Sequence, residues 1–170
     1  MMLVELTAPA LAALPVAGLR EHLRLGSGFE MAQDEAETLA LAGFLRAAIA
    51  TIEARTGKVL LARQFRLRLE DWRDPAGQPL PLAPVNAIER VEMDDGAGQV
   101  TLVDPGAYRL APDMQRPMLL PRGGWLPVVP EAGFVTVTFA AGFGPAWDSV
   151  PADLAPVSYT HLTLPTSDLG

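Results

Sequence analysis

The stretch Asp34–Gly57, DEAETLALAGFLRAAIATIEARTG, decides how the rest of the chain is read. Asp34 stands at a plausible helix N-cap with Glu37 three residues on, a spacing at which the two side chains satisfy each other's free backbone donors. Gly57 closes the stretch, since glycine takes the left-handed cap conformation without strain. These signals predict a helix of about six turns. At 100° per residue, Leu41, Leu45, Ile49 and Ile52 fall on one line with Phe44 and Ala48 beside it, so this face is expected to be buried. The opposite face is small rather than charged. It carries Ala40, Gly43, Ala47, Ala50 and Ala54, with Glu35, Arg46 and Glu53 on one shoulder and Glu37 and Arg55 on the other. A seam of small residues at alternating spacings of three and four admits a second helix at short distance, which makes these five the candidate subunit or helix interface. Alanine is also the best helix former on a wet surface, and the spacing alone leaves both readings open.

Outward from the helix, the period changes. In RQFRLRLEDW, Phe65, Leu67 and Leu69 alternate with Arg66, Arg68 and Glu70, the pattern of a half-buried strand with a charged outer face. A proline-rich linker, Asp74–Pro84, follows. Ile88–Met93 and Val100–Val103 flank the tip Asp94-Asp95-Gly96-Ala97-Gly98 as a hairpin with a loop of about five residues. Further strands are expected at Tyr108–Leu110, Met118–Leu120 and Phe134–Phe139. On the N-terminal side, Leu3–Leu6 reads as extended and a short helix runs from Pro15 through Leu19 and Leu23 to Gly26, with a loop from Gly26 to Gln33. VPADLA, from Val150, reads as the start of a final helix with Pro151 in its first turn. The fold expected is α+β: N-terminal helices including one long one, a small antiparallel sheet, and a truncated C-terminal helix.

The 170 residues are read as a single domain over 1–155, large enough to bury a core without staples. There are no cysteines, which removes disulfides and thiolate metal sites. The formal charge of -7 argues against a protein that grips nucleic acid by its phosphates, because that affinity comes from Lys and Arg. The apolar N-terminus has no basic leader, contains Glu5 and the prolines Pro9 and Pro15, and is too short to span a bilayer. Residues 156–170 behave differently from the rest. Pro156–Thr166, PVSYTHLTLPT, resembles the translation of a transposase adapter used to prepare sequencing libraries, so this tail, with Tyr159 and His161, is expected to be non-native and is set aside.

No catalytic constellation emerges. His22 lies among Arg20, Glu21 and Arg24 with no serine elbow to serve, and is read as a surface histidine. Glu89, Glu92, Asp94 and Asp95 lack the D-x-D-x-D-G spacing of a cation loop. The glycine pairs at 96/98 and 142/144 have no following lysine or helix to complete a phosphate cradle. No catalytic, cofactor or metal site is therefore assigned. Trp72, Trp125 and Trp147 leave one alternative open, a carbohydrate-binding module or small enzyme using the sheet face, which requires Trp72 and Trp125 to be exposed together.

Several phrases in order carry a resemblance: LVELTAP at Leu3–Pro9, VAGLREHLRL, IEARTGK at Ile52–Lys58, QFRLRLEDW, DPGAYRL at Asp104–Leu110, and VTFAAGFG with VPADL behind it. The chain resembles the head-tail connector (adaptor) proteins of phages, prophages and gene transfer agents. That resemblance implies a non-enzymatic virion protein, assembling as a homo-oligomeric ring of twelve between the portal protein and a tail or stopper protein. It implies a location in the virion neck, reached by assembly in the host cytoplasm, with DNA passing through the lumen unbound and no membrane contact. Another neck or tail-completion protein is the alternative within the class. An acidic chain suits a conduit through which DNA must slide.

Overall fold

The computed structural model describes residues 1–23 and 31–155, for 31–34 the backbone alone. The expected Gly26–Gln33 loop, apart from its last residues, and the whole adapter-like tail lie outside the described residues.

The long helix is there and longer than its sequence signals indicate. It spans Met31–Thr56 (α2), so Asp34 lies inside it and is not its N-cap. Its C-terminal end is as read: Gly57 sits at φ 66° and donates its N–H to the Glu53 carbonyl at 2.8 Å. A short helix, Val16–His22 (α1), packs alongside through Leu19. The buried stripe of α2 comprises Leu41, Ala42, Leu45, Ala48, Ile49 and Ile52. Phe44, expected beside that stripe, is instead 59% exposed. Phe44 lies roughly a quarter turn from the centre of that stripe, and the core that α2 shares with Leu19, Leu60, Leu61 and Val150 does not extend to it.

The β part is two sheets rather than one. Five strands, Met2–Glu5 (β1), Arg63–Leu69 (β2), Val85–Asp94 (β4), Val100–Leu102 (β5) and Phe134–Ala141 (β8), form an antiparallel sheet in the order β1-β2-β8-β4-β5. Gln78–Pro79 (β3), Tyr108–Ala111 (β6) and Met118–Pro121 (β7) form a second, ordered β3-β7-β6. The proline-rich linker is thus partly a strand: Gln78 is buried, and its side-chain oxygen accepts the Arg73 N–H at 2.8 Å. The expectation of helices first and strands afterwards also needs correcting, because β1 precedes both helices and forms an edge of the main sheet.

Strand alternation explains the first core. Phe65, Leu67 and Leu69 of β2 and Val135, Val137 and Phe139 of β8 point to one side, where they meet Val91 and Met93 of β4 and Tyr108 and Leu119 from the second sheet. Phe65 and Phe139, paired in register, stack with centroids 5.9 Å apart. A second core lies between α1, α2 and the Leu60-Leu61 segment. The chain crosses between the cores at Gly142 (φ 135°), where a Cβ would stand 2.5 Å from the Ala62 backbone, so no other residue fits without a shift. After the 3-10 turn Trp147–Ser149, the Ala155 N–H reaches the Pro151 carbonyl at 3.1 Å, the first helical bond of the expected final helix; its continuation lies outside the described residues.

Candidate subunit interface

Ala40, Gly43, Ala47, Ala50 and Ala54 are all exposed, and a Cβ placed on Gly43 would meet nothing within 4 Å. No element among the described residues covers the seam. Its flanks are apolar as well: Leu39, 57% exposed, stands on one side and Phe44 on the other. Alanine alone is ordinary on a wet helix face; the exposed Leu39 and Phe44 on its borders are what make this face a candidate contact surface. The small-residue spacing revealed the seam in the sequence, but its exposure and that of Phe44 show only in the fold.

The face is held rigidly at its C-terminal end. Glu53 projects from the shoulder of α2 toward Arg63 at the start of β2, with Nη2–Oε2 2.6 Å and Nη1–Oε1 3.0 Å. Glu5 of β1 lies against the same guanidinium at 3.3 Å, and Glu53 Oε1 also accepts the Leu60 N–H at 2.8 Å. Burial pulls the Arg63 pKa down, but the hydrogen bond to Glu53 and the charges of Glu53 and Glu5 outweigh it and hold the group above its ordinary value. One cation thereby fastens α2 to β1 and β2. Sequence reading missed this triad because its members are 48 and 10 residues apart and no local period links them. Beside it, Arg46 of α2 reaches toward the Pro9 carbonyl, 3.5 Å away.

The residues weighed for chemistry are occupied structurally. Asp95 Oδ1 accepts the N–H groups of Ala97 and Gln99, Asp94 Oδ1 accepts that of Gly96, and Glu92 pairs with Arg90 at 3.0 Å. Among the described residues no group of three or more His, Asp or Glu is placed to hold a metal ion, and no helix is long and apolar enough to cross a membrane. His22 lies on the exposed side of α1. Trp72 is buried, its Nε1–H donating to the Pro127 carbonyl at 2.7 Å, whereas Trp125 is 70% exposed. The two rings do not form the shared exposed platform that a sugar-binding face requires.

The described residues thus form a two-sheet α+β subunit with an uncovered small-residue helix face. No protein-family model and no curated protein matches the chain. Solved structures do. A chain in the neck of an empty gene transfer agent particle, computed with C6 symmetry, is 46% identical with a TM-score of 0.87, over 96% of this chain and 85% of that one. A chain of the native gene transfer agent virion is 43% identical with a TM-score of 0.85, over 100% and 88%. A third, from the neck of the native particle computed with C12 symmetry, is 44% identical with a TM-score of 0.80, over 94% and 79%. The chain belongs to the family of gene transfer agent and phage head-tail neck proteins.

Proposed function

We propose that this chain is a head-tail adaptor, a non-enzymatic structural subunit that forms a closed ring in the virion neck between the portal and the tail and prolongs the DNA channel. The observation that carries this reading is the exposed face of α2, with Ala40, Gly43, Ala47, Ala50 and Ala54 flanked by Leu39 and Phe44. Similarity to neck chains solved with C6 and C12 symmetry supports cyclic assembly, and twelve copies is the number adopted here. The portal and a tail or stopper protein are the partners on either side. The net charge of -7 suits a wall along which DNA moves without adhering. Assembly takes place in the host cytoplasm, and no cofactor takes part.

Gly43→Arg tests the reading. The free subunit has room for the new side chain and gains a better helix former, while close approach of a neighbour is blocked. Light scattering should show rings from the unaltered chain and monomers from the variant, with the same circular dichroism. Rings of unchanged mass from Gly43→Arg would remove the α2 face from the interface.

A further inference from the structure

A cyclic ring requires two unlike surfaces on each subunit, because a face that meets its own copy across a two-fold axis closes a dimer instead. If the exposed face of α2 is one of these surfaces, a second must lie elsewhere on the chain. This inference rests on the ring reading above and identifies that second surface.

The outer side of the five-stranded sheet has the properties required. Register places Val4, Arg66, Thr138 and Arg90 in one row across β1, β2, β8 and β4, and Met2, Arg68, Thr136 and Glu92 in the next. A hollow of about 280 Å³ opens over these rows, bordered by Met2, Val4, Val100 and Phe134. Arg68 lies flat on the Phe134 ring, 3.3 Å from its centroid, and Arg90 is engaged by Glu92. Arg66 is exposed and has no hydrogen-bond or ion-pair partner among the described residues. Thr138, 3% exposed and turned away from the core by strand alternation, carries a hydroxyl with no hydrogen-bond partner among the described residues. Arginine set among Met, Val and an aromatic ring is the composition of a protein contact. A track for DNA phosphates would be lined by one sign of charge, whereas Glu92 and Asp94 stand within this hollow.

We propose that this hollow receives the N-terminal half of α2 from the next copy of the chain. That half is complementary in both respects. Residues 31–45 contain no Lys or Arg; Glu37 is held by Arg20, but Glu35 is exposed and matches the unpartnered Arg66, and the exposed Leu39 and Phe44 match the apolar border. Helix on sheet is also one of the stable ways of stacking layers, so the contact continues across the subunit boundary the packing used inside domains.

The test uses the full chain with two variants, Arg66→Glu and Gly43→Arg, followed by native mass spectrometry. Each alone should run as the 18.1 kDa monomer, with a melting temperature, taken at a concentration too low for assembly, no lower than that of the unaltered chain. Mixed in equal amounts they should re-associate, because Gly43→Arg contributes an intact sheet face and Arg66→Glu an intact helix face. A mixture that stays monomeric would overturn the pairing. Rings from Arg66→Glu beside monomers from Gly43→Arg would overturn the role of the sheet face and leave the ring reading standing. Rings from Gly43→Arg, or an unaltered chain that never exceeds a monomer, would remove the ring reading and this inference with it.

Discussion

Arg63 and Glu53 meet as a two-pronged ion pair, 2.6 and 3.0 Å apart, with side chains only 5% and 12% exposed. Removing one partner of such a pair leaves a buried charge without compensation, at a cost of about 3–5 kcal/mol. Arg63→Met should therefore lower the melting temperature by roughly 10 °C, at about 2–4 °C per kcal/mol for a chain of this size. Adding Glu53→Gln should recover part of the loss, since it removes the uncompensated charge while its side-chain oxygen can still accept the Leu60 N–H. Calorimetry of the two variants checks both statements. A double variant less stable than Arg63→Met would contradict them.

Adjacent residues of α2 should separate folding from assembly. Leu45 is fully buried and Phe44 is 59% exposed. Leu45→Ala should cost about 2–5 kcal/mol in urea unfolding of the subunit. Phe44→Ala should change subunit stability by no more than about 0.5 kcal/mol while weakening ring formation. Sedimentation and urea denaturation of the same two samples distinguish the effects.

Gly43→Ala should stabilise the isolated subunit by about 0.5–1 kcal/mol, because the position is mid-helix, exposed and open around the new methyl group. The same change should shift the ring-monomer balance toward monomer if the neighbouring chain lies against the Gly43 backbone. Thermal melts at a concentration too low for assembly isolate the first effect.

The hairpin tip is expected to loosen in acid. N–H groups of Gln99 and Ala97 donate to the Asp95 carboxylate and hold its pKa below the usual carboxylate value. A carboxyl whose folded pKa is depressed contributes stability that is present above its unfolded pKa and is lost as pH falls through the folded one. Amide exchange at Ala97 and Gln99 should accelerate as pH drops below about 4 relative to the intrinsic rate, and Asp95→Ala should remove that dependence. Protection that stays constant from pH 6 to pH 3 would rule the effect out.

Much of this fold is legible where a residue's neighbours in sequence are also its neighbours in space. The alternation of Phe65, Leu67 and Leu69, the Asp94–Gly98 tip and the phrase FVTVTF each mark a strand found close to the expected place, and Gly57 ends α2 as read. What was not legible depends on distant packing. Phe44 is exposed because it lies about a quarter turn from the centre of the buried stripe, beyond the core that α2 shares with Leu19, Leu60 and Val150. Gln78 and Pro79 form a strand because Leu119 and Met118 lie opposite them. The seam was visible as a spacing of small residues, but only the fold shows that nothing among the described residues covers it. The Glu5–Arg63–Glu53 cluster and the row through Arg66, Thr138 and Arg90 left no local trace, since register alone brings their members together.

The position of β8 sets when a subunit comes into existence. It lies between β2 and β4 and joins two parts of the sheet that otherwise share no hydrogen bonds, yet among the described residues it is the last strand to be made. While translation proceeds, β1 with β2 and β4 with β5 are separate ribbons with unpaired edges. They fuse only after Ala141 has left the ribosome exit tunnel. The row through Arg66, Thr138 and Arg90 is therefore complete only once β8 has taken its place between β2 and β4.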